Sequence, residues 1–136
     1  MPIDSSLIGT SSSPQIYEVT REAVQRFMEA TEDPALQSGI ALEYAPPTFP
    51  TTFRLSVPGL VLDGSKMQLI HGEQQYTYNR KLRIGEKVTC VARVADIRER
   101  TGKSGAMTFV VVETSGTDIS QQPVFTARST VIVRQK

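Results

Sequence analysis

The amino-acid sequence predicts one α+β domain spanning residues 1–136, in which an antiparallel sheet wraps around a buried helix. Helical spacing of apolar residues occurs only in the first half of the chain, whereas alternating, β-branched runs typical of strands fill the second half. A length of 136 residues, of which 39% are hydrophobic, suits a single domain with its own core. Together these observations favour two helices followed by a sheet.

The first helix is predicted to follow a loosely ordered arm, residues 1–14, which is rich in serine. Thr20 is a suitable N-cap residue, and the residue before a proline avoids the helical region, so we expect the helix to end at Asp33, before Pro34. An apolar stripe at spacings of three and four residues supports this helix, and it consists of Val24, Phe27 and Met28.

A second, largely buried helix is predicted over residues 49–57. Thr48 would cap it, and Pro50 would occupy its first turn, where proline is tolerated. Phe49, Phe53 and Val57 would share one face. This helix is the element around which we expect the sheet to wrap.

Four strands at hairpin spacing are predicted over residues 66–80, 87–98, 107–114 and 124–133. Alternation within the first of them places His71 and Glu73 on one face of the sheet. Gly72, between them, indicates a bulge or a close backbone approach, which would let His71 tilt toward a ligand.

His71 is the only histidine, so any mechanism that needs an imidazole must use it. A carboxylate on the same strand face, that of Glu73, would orient the imidazole and raise its basicity. The alternative is a hydrogen-bonded strand histidine at a subunit interface.

Composition excludes several classes of protein. Fifteen basic and 14 acidic residues give a formal charge of +1, so no strong net field attracts nucleic acid or anionic lipid. A single cysteine excludes an internal disulfide and a cysteine-cluster zinc site. No apolar run approaches the ~18–20 residues of a membrane span, and residues 1–14 lack a secretory signal pattern. We therefore expect a cytoplasmic protein that binds neither nucleic acid nor membrane.

Six short segments in a fixed order resemble the N-terminal dehydratase subfamily of the MaoC-like dehydratases, which have the hotdog fold. They are YEVTRE at 17–22, APPTFPTTF at 45–53, HGEQ at 71–74, RIGE at 83–86, MTFVV at 107–111 and TARST at 126–130. The resemblance covers almost the whole chain. It implies a single hotdog domain, a curled antiparallel sheet around a central helix, that pairs as a homodimer, a higher homo-oligomer or a heterodimer with a second MaoC-like domain.

The resemblance also implies an activity. MaoC-like members dehydrate (3R)-3-hydroxyacyl thioesters, or hydrate trans-2-enoyl thioesters, on coenzyme A or acyl carrier protein, without a metal or redox cofactor. The alternative is a non-catalytic subunit that shapes the acyl tunnel while a partner carries the catalytic residues. A third hypothesis is an acyl-CoA-binding module without chemistry, since a fold alone does not set function.

Active members use an Asp and a His five residues apart. Asp33 stands at the expected position of that Asp, but Ser38 occupies the position of the His. The resemblance therefore implies that Asp33 is one catalytic candidate, with a plain turn residue before Pro34 as the alternative. His71, as the only histidine, is the other catalytic candidate.

Other residues are candidates for binding roles, and those near Thr48 follow from the same resemblance. Backbone groups near Thr48 and Phe49 would hold the thioester oxyanion, with simple helix capping by Thr48 as the alternative. Tyr44 and Glu73 would contact substrate, although Tyr44 also suits an ordinary core position. Arg80 and Arg128 would contact the thioester carrier, or form a solvated rim.

Overall fold

The computed structural model describes residues 3–103 and 105–135, which form a curled five-stranded antiparallel sheet and one α-helix. The strands are β1 (Gln15–Glu18), β2 (Met67–Tyr78), β3 (Lys87–Gly102), β4 (Gly105–Thr117) and β5 (Pro123–Gln135), and the helix is α1 (Arg21–Ala30). Their order across the sheet is β1-β3-β4-β5-β2. The predicted α+β class is confirmed, and all four predicted strands are present. β2 pairs with β5, however, and not with β3, its neighbour along the chain.

The N-terminal segment is held more closely than predicted. Ile3 is buried in the core, and the Ser12 N–H donates to the Ala92 carbonyl oxygen at 2.7 Å. The hydroxyl of Ser12 in turn accepts from the Ala92 N–H at 2.9 Å. Residues 3–14 thus run along β3 and lead into β1, because an edge strand offers unpaired backbone groups that an extended neighbour can satisfy. Residues 1 and 2 of the expected arm lie outside the described residues.

Helix α1 begins where the sequence predicts. The Thr20 hydroxyl accepts from the Ala23 N–H at 3.1 Å, and Val24 and Met28 are buried against the sheet. The helix ends at Ala30, three residues before Asp33, because Glu32 adopts the left-handed conformation with φ of 55°. No helix within residues 3–103 and 105–135 is long and apolar enough to span a membrane.

The second predicted helix is mostly absent. Only Phe49–Thr52 forms a single 3-10 turn, and residues 53–62 continue as an irregular strap across the concave side of the sheet. The hydroxyls of Thr51 and Thr52 donate to the carbonyls of Thr48 and Phe49, at 2.9 Å each. Threonines that bind their own backbone, together with Pro50, favour a turn over a continuing helix.

Two buried clusters lie on the concave side of the sheet. The first gathers α1, the 3-10 turn and one end of the sheet, and its large members are Val24, Met28, Phe49, Leu82 and Phe125. The second gathers the N-terminal segment, the strap and the other end, and includes Ile3, Val57, Val94, Val110 and Val133. The strap passes between the clusters without filling the space beneath it.

Candidate functional site

A cavity of about 760 Å³ lies between the strap and the concave face of the sheet. The strap over it is irregular and not helical. Val57 is buried and fixes the strap, while Leu55, Leu60 and Leu62 are half-buried beside it. The sheet contributes the remaining lining residues, which are His71, Gln74, Tyr76, Ala92, Val112, Thr114, Phe125, Ala127, Ser129 and Val131.

The polar part of the cavity wall is formed by β2 and β5. His71 Nε2 lies 3.3 Å from the Ser129 hydroxyl oxygen, and Gln74 is the cross-strand partner of Ser129. The sequence identified His71 but missed Gln74 and Ser129 as site residues. The sequence did contain a signal for these two residues. Each is two positions from Tyr76 or Ala127 on its strand and therefore faces the same side of the sheet.

A bulge at Gly72 explains this arrangement. The pairing of β2 with β5 shifts between His71 and Glu73, so that His71 lies opposite Val131 and Glu73 lies opposite Thr130. One extra residue reverses the alternation of faces. A Cβ atom at Gly72 would meet Ile132 Cδ1 at 3.1 Å, so the Ile132 side chain packs closely over the glycine.

The predicted pairing of His71 with Glu73 is therefore wrong. The prediction counted a regular alternation, which puts the two side chains on one face. With the bulge, His71 lines the cavity and Glu73 does not. Ser129, and not Glu73, is the hydrogen-bonding neighbour of the imidazole. The expected substrate contact by Glu73 loses its geometric basis for the same reason.

Asp33 is engaged in its own turn. Its carboxylate accepts from the Ala35 N–H at 3.0 Å and begins the 3-10 turn Pro34–Gln37. Ser38 ends that turn by donating its hydroxyl to the Ala35 carbonyl oxygen at 2.8 Å. Asp33 is not among the described residues that line the cavity. The structure thus does not bring Asp33 and His71 together around one cavity.

The predicted oxyanion residues lie beside the cavity. Phe49 is 1% exposed, and its N–H already donates to the Pro46 carbonyl oxygen at 3.0 Å. The side chain of Thr48 makes no capping hydrogen bond to the turn. A turn of four residues also aligns few peptide dipoles, which weakens the electrostatic argument for an oxyanion site there.

Tyr44 lines a separate, smaller pocket of about 360 Å³ together with Pro47 and Tyr78. The Lys81 ammonium lies 5.3 Å from the centre of the Tyr44 ring, a cation–π contact at the surface. Tyr78 donates its hydroxyl to the Pro47 carbonyl oxygen at 2.6 Å. Tyr44 is therefore neither in the core nor part of the main cavity wall.

The two arginines predicted to contact the thioester carrier are both paired with carboxylates. Arg80 binds Glu86 through two hydrogen bonds, of 2.9 and 2.7 Å, and reaches Asp118 at 3.3 Å. These bonds raise the pKa of Arg80. Arg128 donates to Glu113 at 2.6 Å, with Arg93 on the other side of the same carboxylate at 3.6 Å. Glu113 lies opposite Arg93 and Arg128 on the convex face, away from the cavity.

A family model described as the FAS1-like dehydratase domain region matches residues 6–127. The chain belongs to this dehydratase family. A UPF0336 protein of Saccharopolyspora erythraea is 32% identical over 98% of this chain and 93% of its own length. A UPF0336 protein of Thermobifida fusca is 29% identical over 98% of this chain and 95% of its own.

Solved structures confirm the hotdog fold of this dehydratase-family chain. A C-terminally truncated HadBC complex of Mycobacterium tuberculosis, a 3R-hydroxyacyl-ACP dehydratase, matches with a TM-score of 0.69 and 20% identity over 97% of this chain and 99% of that chain. The ChsH1–ChsH2 complex of the same organism matches with a TM-score of 0.66 and 18% identity, over 90% and 83%. A MaoC-like dehydratase gives a TM-score of 0.73 and 20% identity, over 96% of this chain and 43% of that one.

The dehydratase-family chain thus offers a roomy, mainly apolar cavity with a short polar stretch. Its volume falls within the ~300–1,000 Å³ of small-molecule sites. No carboxylate lines it among the described residues, and burial raises the pKa of Tyr76 to about 12, which keeps that hydroxyl a proton donor at neutral pH. No group of three or more His, Cys, Asp and Glu side chains suited to a metal ion occurs in the described part of the chain.

Proposed function

We propose that this chain is the acyl-binding, non-catalytic subunit of a heteromeric (3R)-3-hydroxyacyl thioester dehydratase. Its cavity would hold the acyl chain, and a second MaoC-like domain would supply the catalytic Asp and His. The observation that carries the proposal is a cavity of about 760 Å³ that His71 lines but Asp33 does not.

The chemistry explains why that observation matters. Dehydration of a 3-hydroxyacyl thioester removes a proton from the carbon next to the carbonyl and protonates the departing hydroxyl. Acid–base catalysis of both transfers is most effective with two groups placed around one substrate. The Asp33 carboxylate accepts from the Ala35 N–H within its own turn, and the described cavity wall contains no carboxylate beside His71. Reversible water addition forms a C–O bond at C3 and a C–H bond at C2 and involves no net oxidation or reduction, so the proposal invokes no cofactor beyond coenzyme A or the carrier protein.

The sheet offers an edge for such a partner. The outer edge of β2 faces no strand in the described part of the chain, and Leu69 and Ile70 on it are each 39% exposed. An unpaired edge strand of 12 residues is a template for pairing with another chain. Because His71 lies on this strand, a partner bound at the edge would stand next to the polar wall of the cavity. Relatives of similar fold, HadBC and ChsH1–ChsH2, are themselves complexes.

Co-expression tests the proposal. The chain would be produced alone and with a second MaoC-like domain that carries an Asp and a His five residues apart, and hydration of a trans-2-enoyl-CoA would be followed by the loss of enoyl-thioester absorbance. We expect activity only in the complex, abolished by Asp→Asn in the partner and retained in Asp33→Asn of this chain. Absence of a complex, or full activity of this chain alone, would contradict the proposal.

The contact of His71 with Ser129 favours a second candidate, a self-sufficient hydratase in which His71 is the acid–base group. This candidate requires that the purified chain alone hydrates enoyl-CoA. His71→Gln would then abolish turnover, while Gln75→Asn, on the neighbouring outward-facing stretch of β2, would leave it unchanged. The co-expression experiment separates the two candidates, because only the second predicts turnover without a partner.

A further inference from the structure

Arg54 is the one cationic side chain among the described residues that line the cavity. It lies on the strap, and its side chain is exposed at the cavity rim. No Asp or Glu accompanies it in the described lining. A cavity rim with one positive charge and no negative charge favours a ligand that carries an anionic group.

Arg54 differs from Arg80 and Arg128 in having no carboxylate partner in the described part of the chain. Arg80 and Arg128 each bind a carboxylate at 2.7 Å or closer. Within the described residues, the Arg54 guanidinium has no ion pair or hydrogen bond. The two arginines with predicted carrier contacts are therefore engaged, while an arginine that the sequence did not single out is free beside the cavity.

The backbone of Arg54 is nevertheless fixed. Its carbonyl oxygen accepts a hydrogen bond from the Tyr17 hydroxyl. The preceding residue, Phe53, stacks on the Tyr17 ring with 4.5 Å between ring centres and contacts Phe49 edge-on at 5.7 Å. These contacts hold the start of the Arg54 side chain at the rim and leave only its flexible end to be ordered, which lowers the entropic cost of binding.

We propose that Arg54 binds the phosphate of the phosphopantetheine arm that carries the acyl group. This inference rests on the proposed function, because it takes the ligand to be an acyl thioester. The phosphate next to pantetheine is the anionic group that coenzyme A and acyl carrier protein share. A guanidinium matches phosphate geometry with two parallel N–H donors, which gives stronger and more directional binding than an ammonium group.

Three thioesters of one saturated acyl chain test the inference, because they differ only in their carrier. They are acyl-CoA, acyl-phosphopantetheine and acyl-pantetheine, and the last of these lacks the phosphate. Dissociation constants would be measured by calorimetry for the full chain, alone and in its complex with the partner. Arg54→Gln should weaken binding of the first two ligands about tenfold and leave the third unchanged. Raising the salt concentration should reduce the same difference in the wild-type protein.

Arg21→Gln is the matched control. Arg21 is an exposed first residue of α1, and it is not among the described residues that line the cavity. The substitution removes the same charge from the surface and should leave all three dissociation constants unchanged. A loss in this variant equal to that in Arg54→Gln would mean that net charge alone governs binding, which overturns the assignment.

The remaining outcomes separate this inference from the proposed function. If the wild-type protein binds none of the thioesters, the proposed function itself fails. If it binds them and Arg54→Gln binds equally well, the function stands and the Arg54 assignment is wrong. A loss of affinity that includes acyl-pantetheine would mean that Arg54 contacts the acyl-pantetheine part of the ligand. A loss of affinity confined to acyl-CoA would mean that Arg54 contacts the nucleotide. Both results would overturn the shared-phosphate assignment.

Discussion

The concave side of the sheet has a packed end and an open middle, and the two differ in what fills them. At the packed end, the Phe125 ring lies over Gly116 and within 6.5 Å of Phe53, and Phe49 meets Phe27 edge-on at 5.7 Å. In the open middle, the strap leaves a cavity of about 760 Å³ over small side chains such as Ala127 and Ser129. Protein interiors are normally close-packed, so the side chains around this open cavity make fewer packing contacts than those of the packed end. The packed end therefore contributes more to the stability of the fold than the open middle, which is available for a ligand.

Phe49→Ala tests the packed end and should cause the largest loss of stability. Phe49 is buried and contacts Phe27 and Phe53, so its removal leaves a cavity among rigid rings. The free energy of unfolding should fall by about 3–5 kcal/mol, as for other buried aromatic residues. Urea denaturation measures the change. Val61→Ala, on the strap and 69% exposed, is the control and should shift stability by no more than about 0.5 kcal/mol. A loss below about 1 kcal/mol for Phe49→Ala would contradict a packed end.

Gly116→Ala adds a methyl group at the same end and should be the next largest effect. A Cβ atom there would lie 2.7 Å from Phe125 Cδ1 and 2.8 Å from Cζ, closer than packed atoms tolerate. We expect a loss of about 1–3 kcal/mol in the free energy of unfolding, the usual cost of overpacking. Gly102→Ala, whose added methyl group meets nothing within 4 Å, is the matched control and should be neutral. Equal stability of the two variants would show that Phe125 moves aside freely.

Ala127→Leu adds greater bulk in the open middle, and there we expect binding to change more than stability. Ala127 lines the cavity, so the added side chain has room there and the free energy of unfolding should fall by less than the about 1–3 kcal/mol of overpacking expected for Gly116→Ala. Affinity for an acyl-CoA should fall at least about tenfold because the acyl chain loses its space. Thr126→Leu is the control. Thr126 directly precedes Ala127 and faces the opposite side of the sheet, so this substitution should leave the affinity unchanged. A loss of stability as large as that of Gly116→Ala would remove the distinction between the two regions.

The sequence predicted the regular parts of both regions. Thr20, Val24 and Met28 identified α1 because capping and helical spacing act within one turn. The four main strands followed from alternating residues in the same local way. β1 was missed, since a strand of four residues with three exposed side chains carries little pattern and depends on its pairing with β3.

The open middle was harder to predict because it depends on irregular backbone. A buried helix over residues 49–57 satisfied the apolar spacing, and the competing hydrogen bonds of Thr51 and Thr52 stopped it after one turn. Gly72 was recognised as a candidate bulge, but its consequence, the separation of His71 from Glu73, requires the register with β5. Nothing in the sequence was a reason to select Arg54, because the predicted buried helix over residues 49–57 left no cavity rim for it to border. The carboxylate partners of Arg80 and Arg128 lie 6 to 38 residues away in the chain and appear only in the fold.

Acid should weaken the fold slightly through the ion-pair cluster of Arg80, Glu86 and Asp118. Burial raises the pKa of Glu86, but hydrogen bonds from Arg80 and from the Arg83 N–H outweigh it and lower the pKa below its ordinary 4.5. The pKa of Asp118 lies below 3.8, first because of the Gln122 N–H and then of other donors that include Arg80. Groups with lowered pKa values stabilise the fold above their ordinary pKa, and this contribution is lost as the pH falls through the lowered values.

Arg80→Gln should therefore reduce stability at neutral pH by less than either packed-end substitution. It should also make the loss of stability between neutral and acidic pH smaller than in the wild-type protein. The urea midpoint, followed from about pH 7 to about pH 3, measures both effects, since the contribution of the two carboxylates begins to be lost as the pH falls below their ordinary pKa values. Arg98→Gln removes an exposed pair with Asp96, at 3.0 Å on β3, and should leave the acid decline unchanged. An identical acid decline in Arg80→Gln and the wild-type protein would mean that the pair is solvated.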